Sequence, residues 1–100
     1  MTSESAPRAP ELSVVVPVKD EAENVRPLID EITAALRGRV AFEIVYVDDG
    51  SGDATPAVLA TARAEVPELR VLRHEKNAGQ SAGVRSGVKA ARAPLVDEHD

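Results

Sequence analysis

The chain has 100 residues, of which 43% are apolar, and it contains no cysteine. This composition is typical of one soluble globular unit, and it excludes disulfides and cysteine-based metal sites. The formal net charge of −5, with twelve Lys and Arg dispersed along the chain and aromatic residues at 2%, argues against a protein that binds nucleic acid.

The first ten residues, 1–10, are predicted to be a disordered tail because Ser, Ala and Pro offer little apolar area to bury. They lack the basic start and apolar run of a signal peptide. The apolar run at 12–18 contains Ser13 and Pro17 and is far shorter than the roughly 20 residues of a membrane-spanning helix. We therefore expect a chain that does not cross a membrane, with one domain over residues 11–100.

Short apolar runs alternate with helical patterns along the rest of the chain. Strands are predicted at 12–18, 42–47, 69–73 and from 95, and helices at 24–36, 54–64 and 81–92. Asn24 is interpreted as the cap of the first helix, and Asp53 starts the second. Apolar and charged residues alternate in the third strand, which predicts that it lies near a sheet edge. Strand and helix alternation predicts a parallel α/β sheet with right-handed crossovers, as in the first half of a nucleotide-binding fold.

Acidic residues follow the first two predicted strands. Glu21 follows the first, and Asp48 and Asp49 end the second, directly before a Gly-Ser turn. The carboxyl ends of parallel strands meet at one edge of the sheet, where ligands bind in open α/β folds. One Asp would be explained by a helix-capping turn. The second adds like-charge and desolvation costs, so we expect at least one of the pair to contact a ligand.

Other familiar motifs are missing from the sequence. No G-x-G-x-x-G fingerprint follows the first strand, no Walker Gly-Lys-Ser/Thr is present, and no serine has the sequence context of a catalytic triad. His74 and His99 lack metal-ligand spacing, so a zinc site is not expected and His74 is interpreted as a solvated turn residue. A Rossmann-type oxidoreductase is disfavoured by the missing fingerprint. Carboxylates at the sheet edge instead predict a nucleotide site that is recognised by its base and ribose.

Three segments, in this order, resemble the start of a family 2 glycosyltransferase with the GT-A fold. They are residues 14–21, 43–51 and 77–87, which read VVVPVKDE, EIVYVDDGS and NAGQSAGVRSG. Within that family, the run RHEKNAGQSAG at 73–83 is similar to the dolichol-phosphate mannosyltransferase and polyprenyl-phosphate glycosyltransferase branch. The resemblance implies a Rossmann-like parallel sheet with flanking helices, the N-terminal nucleotide-binding half of a GT-A domain, so that 11–100 is a truncated domain.

The resemblance also implies a donor site for a nucleoside-diphosphate sugar, carried by GDP or UDP. The residues that it implies are Pro17, Lys19, Glu21, Val47, Asp48, Asp49 and Gly79. Asp49 would face the base or ribose, whereas Asp48 would shape the turn. Lys19 replaces the tyrosine often found in the family and offers a cation to a phosphate. Gly79 would let the backbone approach the diphosphate, while Gly83 and Gly87 are interpreted as packing residues.

Family members continue the fourth strand into an Asp-x-Asp motif that holds Mg²⁺ or Mn²⁺ on the donor diphosphate. Asp100 stands where the first Asp of that motif is expected, so the resemblance implies it as a metal ligand. The family keeps this strand apolar, whereas Asp97, Glu98 and His99 would each add a buried polar group here. We interpret the last four residues as a divergent or truncated end.

Two functions remain open at this point. The first is the donor-binding region of a sugar transferase with a polyprenyl or dolichyl phosphate acceptor, cytoplasmic or peripheral at the cytoplasmic membrane face. The second is a non-catalytic nucleotide-binding remnant that kept the fold. In either case we expect the chain to be inactive alone, and its uncovered sheet edges favour self-association.

Overall fold

The computed structural model describes residues 9–74 and 79–99, which contain the seven predicted elements in the predicted order. The strands are β1 (Leu12–Val18), β2 (Phe42–Asp49), β3 (Leu69–His74) and β4 (Leu95–Glu98). The helices are α1 (Ala22–Leu36), α2 (Thr55–Glu65) and α3 (Gln80–Ala90). None of the helices in these ranges combines the length and the apolar character of a membrane span. The predicted disorder of the tail falls mostly on residues outside these ranges and stays a prediction.

The four strands are parallel and lie in the order β3-β2-β1-β4. Every residue of β2 is buried, as the near-continuous apolar sequence of a central parallel strand predicts. β3 lies at one edge of the sheet, which agrees with its alternating sequence. The predicted α/β class with a Rossmann-like parallel sheet is confirmed.

The two faces of the sheet carry separate apolar layers. The layer toward α1 and α2 includes Val14, Val16, Val18, Val25, Ile29, Ile44, Tyr46, Leu59 and Ala62. On the opposite face, Val15, Val45 and Val47 form a smaller layer beneath α3. Gly83 and Gly87 of α3 lie against this layer, which confirms their interpretation as packing residues. The single helix α3 therefore covers the face onto which Asp49 projects, because side chains alternate along β2.

The start of α1 differs from the sequence prediction. The helix begins at Ala22, so Asn24 lies inside its first turn and does not cap it. Contacts from the α2 side explain the earlier start. The backbone N–H of Glu21 donates to Thr55 Oγ1 at 3.2 Å, and that of Ala22 donates to Asp53 Oδ2 at 3.4 Å. These side chains satisfy N–H groups that a helix start leaves without partners.

β4 is an edge strand that pairs with β1, and its four residues are all exposed. The sequence predicts that Asp97 and Glu98 are buried, and this is wrong for the structure described here. Both carboxylates are exposed to solvent. Leu95 is 66% exposed on the same strand. Self-association through this edge stays a prediction.

A buried carboxylate, Glu43, joins three strands at the amino end of the sheet. It accepts hydrogen bonds from Ser13 Oγ on β1 at 2.5 Å, Arg70 Nη1 on β3 at 2.8 Å and the Arg92 backbone N–H at 2.7 Å. Burial alone raises the pKa of Glu43, but the hydrogen bonds from Ser13, Arg92 and Arg70 outweigh it, so the pKa lies below its ordinary value. This cluster fixes the end of the sheet opposite the predicted site.

Candidate functional site

The loop that follows β1 and the turn that follows β2 are hydrogen-bonded to each other. The Asp20 backbone N–H donates to Ser51 Oγ at 2.9 Å, and Asp20 Oδ1 accepts from the Gly52 N–H at 2.8 Å. Asp20 reaches this position with a φ of 52°, in the left-handed region that Asp tolerates better than most residues. Lys19 and Glu21, both exposed, flank Asp20 and are held at the carboxyl end of the sheet beside the β2 turn.

Asp53 and Thr55 complete this connection at the start of α2. Asp53 Oδ1 accepts from the Thr55 N–H at 2.9 Å and from Thr55 Oγ1 at 2.5 Å. These two hydrogen bonds lower the pKa of Asp53, which is the carboxylate the sequence predicts at the start of this helix. The same side chain therefore serves α2 and, through Ala22, α1.

Asp48 and Asp49 are adjacent in sequence but project onto opposite faces of the sheet. Asp48 is only 1% exposed, and its Oδ1 accepts from the Ser51 backbone N–H at 3.0 Å, which confirms that it shapes the turn. Its Oδ2 is buried and has no hydrogen-bond partner among the described residues. A buried carboxylate oxygen without a partner destabilises the fold by about 1–3 kcal/mol. The turn uses only Oδ1, so it does not explain the burial of Oδ2. Whether Asp48 also contacts ligand stays a prediction.

Asp49 stands at the centre of the site. Its Oδ1 lies 2.9 Å from His74 Nδ1, and its Oδ2 accepts from the Gly79 backbone N–H at 2.8 Å. His74 Nε2 in turn lies 2.8 Å from Ser86 Oγ on α3. The structure thus links β2, β3 and the start of α3 through one carboxylate and one imidazole.

The interpretation of His74 as a solvated turn residue is wrong. β3 runs one residue further than predicted and ends at His74, whose side chain is 21% exposed. The parallel register pairs His74 with Asp49, so the two side chains emerge side by side on the α3 face. The sequence lacks a signal for this contact, because it depends on a register between strands 25 residues apart.

Pro17 and Val47 form the floor next to Asp49. They are register partners on β1 and β2, and Val47 is fully buried. A Cβ on Gly83 would lie 3.1 Å from Pro17 Cβ and 3.8 Å from Val47 Cγ1, so α3 approaches this floor closely. Pro17, Val47, Asp49 and Gly79 therefore lie together at the carboxyl end of the sheet, and their contact with a nucleotide stays a prediction.

Glu21 extends its influence inward as well. Burial raises the pKa of Tyr46, the neighbour of Val47 in β2, and the negative charge of Glu21 raises it further. The Tyr46 hydroxyl donates to the Val25 carbonyl at 3.4 Å. Glu21, which the resemblance implies for the donor site, is thus close enough to interact electrostatically with the buried Tyr46 hydroxyl.

The predicted metal site depends on which carboxylate and imidazole side chains lie close together. Within residues 9–74 and 79–99, no three His, Asp or Glu side chains converge as metal ligands. Asp100 and the segment 75–78 before Gly79 lie outside the described residues. The described side chains alone thus form no metal centre of three protein ligands, and ligation by Asp100 stays a prediction.

Comparison with known proteins identifies the family. The model of glycosyl transferase family 2 matches residues 13–96. The chain belongs to this family. As a family 2 member, it is 38% identical over 95 residues to a dodecaprenyl-phosphate galacturonate synthase from Rhizobium johnstonii, covering 90% of this chain and 27% of that protein. It is 33% identical over 88 residues to a dolichyl-phosphate β-glucosyltransferase from Trichomonas vaginalis, covering 82% and 26%.

These relatives confirm the resemblance to the polyprenyl-phosphate branch. An undecaprenyl-phosphate 4-deoxy-4-formamido-L-arabinose transferase from Yersinia pestis is also similar, at 35% identity over 88 residues, 85% of this chain and 27% of that protein. The chain spans about a quarter of the length of the curated relatives it matches.

A solved structure confirms the GT-A fold of this family member. The mannosyltransferase from Pyrobaculum calidifontis, solved in complex with GDP-Man and Mn²⁺, superposes with a TM-score of 0.78. The match covers 89% of this chain and 26% of that one, at 24% identity. At that identity the likeness concerns the fold.

Proposed function

We propose that this chain forms the donor-binding region of a glycosyltransferase that takes a sugar from a nucleoside diphosphate and passes it to a polyprenyl or dolichyl phosphate. The observation that carries the proposal is the Asp49 carboxylate. It is buried at the carboxyl end of the central strand and oriented by His74 and by the Gly79 N–H. This is where ligands bind in open α/β sheets.

Each donor-site residue has a chemical role in this proposal. Asp49 and Glu21 accept hydrogen bonds from the base and the ribose, since ionised carboxylates act as acceptors. Pro17, which is half-buried, offers apolar surface to the nucleoside, and the fully buried Val47 packs beside it as support. Lys19 is an exposed cation on the adjacent loop and meets the diphosphate.

Gly79 adds a conformational argument on the diphosphate side. It has a φ of 92° and a ψ of 160°, a backbone conformation that is essentially restricted to glycine. It directly precedes α3, whose amino end carries partial positive charge. The absence of a side chain at this position lets an anionic group approach the backbone closely.

The proposed reaction needs no general base on the acceptor side. A phosphate oxygen of the lipid attacks the anomeric carbon of the sugar and forms the new C–O bond. The bond between that carbon and the diphosphate breaks, and the nucleoside diphosphate leaves with the electron pair. The acceptor oxygen is already anionic, so the residues described here act by binding and orienting the donor.

The names of the relatives support the acceptor class that we propose. Their names specify dodecaprenyl, dolichyl and undecaprenyl phosphates, all lipid-linked. The solved neighbour was captured with GDP-Man and Mn²⁺. We therefore assign GDP- or UDP-sugars as donors and a peripheral position at the cytoplasmic membrane face.

A nucleotide-binding module without transfer is the second candidate. The contacts of Asp49 with His74 and with the Gly79 N–H would serve nucleotide binding equally well without transfer. This candidate shares the nucleotide site of the first but lacks turnover, so binding and transfer must be measured separately.

Isothermal titration of the chain with GDP and UDP, in Mn²⁺ and in EDTA, tests the shared site. We expect saturable binding that Asp49→Ala abolishes. Asp30→Ala is the matched control, because Asp30 is an exposed carboxylate on α1 that pairs with Arg26 away from the site. A folded chain that binds neither nucleotide contradicts the proposal.

Transfer is then measured with GDP-mannose and UDP-glucose as donors and undecaprenyl phosphate in detergent as acceptor. Formation of a lipid-linked sugar supports the transferase. Nucleotide binding with no transfer from either donor assigns this chain by itself the binding role alone, which either candidate allows because we expect the chain to be inactive alone.

A further inference from the structure

We propose that His74 is a positioning residue of the donor site, which sets the orientation of the Asp49 carboxylate and is itself held by Ser86. This inference rests on the proposed function, because it assigns a role within the same nucleotide site. It concerns two residues, His74 and Ser86, that the sequence did not indicate as part of any site.

The geometry determines which proton lies where. An ionised carboxylate can only accept hydrogen bonds, so the 2.9 Å contact to Asp49 places the proton of neutral His74 on Nδ1. Nε2 is then an acceptor, and the Ser86 hydroxyl donates to it across 2.8 Å. Asp49 thus selects the tautomer of His74, and the Ser86 hydroxyl, which can donate or accept, holds the other ring nitrogen.

The carboxylate plane is fixed from two directions. His74 holds Oδ1 and the Gly79 N–H holds Oδ2, so rotation about the bond that carries the carboxylate would break one contact or the other. The side chains of Asp49 and His74 are only 6% and 21% exposed, which limits competition from water. An acceptor oriented before the ligand arrives binds more tightly, because less freedom is lost on binding.

The same three residue types form nucleophilic triads in hydrolases, but the position of Ser86 argues against that role. Ser86 is the seventh residue of α3, so its backbone N–H lies inside the helix and is used in the helical hydrogen-bond ladder. It is therefore not available as an oxyanion donor beside the hydroxyl. The contacts among Ser86, His74 and Asp49 are therefore suited to orienting the Asp49 carboxylate and not to attacking a substrate.

Two isosteric variants separate the two ends of the imidazole. In His74→Asn the side-chain NH₂ replaces Nδ1–H, so the contact to Asp49 is kept and that to Ser86 is lost. In His74→Gln the terminal group replaces Nε2, so the contact to Ser86 is kept and that to Asp49 is lost. Both variants are polar and neutral, and circular dichroism establishes that each is folded.

Titration with GDP and UDP is the first measurement. We expect His74→Gln to weaken binding about tenfold, the effect of losing one charge-assisted hydrogen bond. His74→Asn loses only the contact to Ser86, so it should weaken binding about two- to threefold, as Ser86→Ala does. Ser86→Ala should weaken binding by about two- to threefold, since it acts only through His74.

The Gly79 amide resonance in a ¹H–¹⁵N spectrum is the second measurement, and it needs no ligand. It should move in His74→Gln, because one of the contacts that orient the Asp49 carboxylate toward the Gly79 N–H is then lost, and keep its position in His74→Asn. A purely structural role for His74 would affect both variants alike.

Three outcomes overturn the inference. Equal affinity of His74→Gln and wild type shows that His74 does not orient Asp49. Equal losses in His74→Asn and His74→Gln show that the contact to Asp49 is not what counts. A folded wild-type chain that binds neither nucleotide overturns the proposed function and this inference with it, and is distinguishable from the first two because the wild type itself fails.

Discussion

Gly87 of α3 lies so close to Val15 of β1 that a Cβ on Gly87 would come within 2.2 Å of Val15 Cγ1. The same Cβ would lie 3.2 Å from Val47 Cγ2. Helix α3 can therefore reach the sheet, and hold Ser86 next to His74, only because residue 87 has no side chain.

We predict that Gly87→Ala destabilises the chain. The approach to Val15 is so close that overpacking should cost about 2–3 kcal/mol, the upper part of its usual range, whereas Ala gains about 1 kcal/mol over Gly in a helix. We therefore expect a net loss of about 1–2 kcal/mol in urea unfolding. Gly52→Ala is the control, because a Cβ there meets no atom within 4 Å. Val15→Ala is itself destabilising because Val15 is fully buried, but its loss combined with that of Gly87→Ala should be less than additive, since the shorter side chain relieves the clash. A Gly87→Ala chain as stable as the wild type would contradict this packing.

Features that depend on local pattern could be predicted from the sequence. The run of apolar residues in β2, the helical spacing from Val25 and the glycines of α3 each specify their own element or its packing. The turn role of Asp48 follows from its neighbours at 50–51, and the structure confirms it.

Features that depend on register could not be predicted in the same way. Glu43 lies in an apolar run, and its partners Ser13, Arg70 and Arg92 come from three distant parts of the chain. His74 meets Asp49 because the strands pair in one register, and a shift of one residue would turn it to the other face. Such contacts depend on how the strands pair in the folded chain, and no local sequence pattern predicts that pairing.

Two glycines with left-handed backbones allow a matched test of the site. Gly79 has a φ of 92° and Gly38 a φ of 87°, and a Cβ on either meets nothing within 4 Å. Substitution by Ala should cost about 1–2 kcal/mol at each through backbone strain alone. We predict that Gly79→Ala also weakens GDP or UDP binding, because it shifts the N–H that holds Asp49, whereas Gly38→Ala binds normally. Equal nucleotide affinity of the two variants would contradict the placement of Gly79 in the site.

The buried Glu43 predicts a stability that depends on pH. Its folded-state pKa lies below the ordinary value, so its carboxylate stabilises the fold above that value and the contribution is lost as the pH falls through the folded-state pKa. We expect Glu43→Gln to cost about 2 kcal/mol at neutral pH, since hydrogen bonds to a charged acceptor are lost, and progressively less in acid. Urea unfolding of the wild type and of Glu43→Gln, from neutral pH down through the folded-state pKa of Glu43, measures this difference in stability.

Glu68→Gln is the control for Glu43. Glu68 pairs with Arg37, whose side chain is 52% exposed, so the loss should be about 0–1 kcal/mol. A Glu43→Gln chain that loses no more stability than Glu68→Gln would contradict the role of Glu43 in joining the strands.

Tyr46 is the single tyrosine of the chain, so its ionisation can be followed by the ultraviolet absorbance of phenolate. Burial and then the charge of Glu21 raise its pKa above the ordinary value of 10.0. Because the folded-state pKa is the higher one, Tyr46 stabilises the fold below pH 10.0, and stability falls above it by up to about 1.4 kcal/mol per pH unit. We predict that phenolate absorbance and loss of circular dichroism rise together in alkali, whereas the chain unfolded in guanidinium titrates near the ordinary value. Ionisation near pH 10.0 in a chain that keeps its circular dichroism would show that the hydroxyl beside the Val25 carbonyl is open to water.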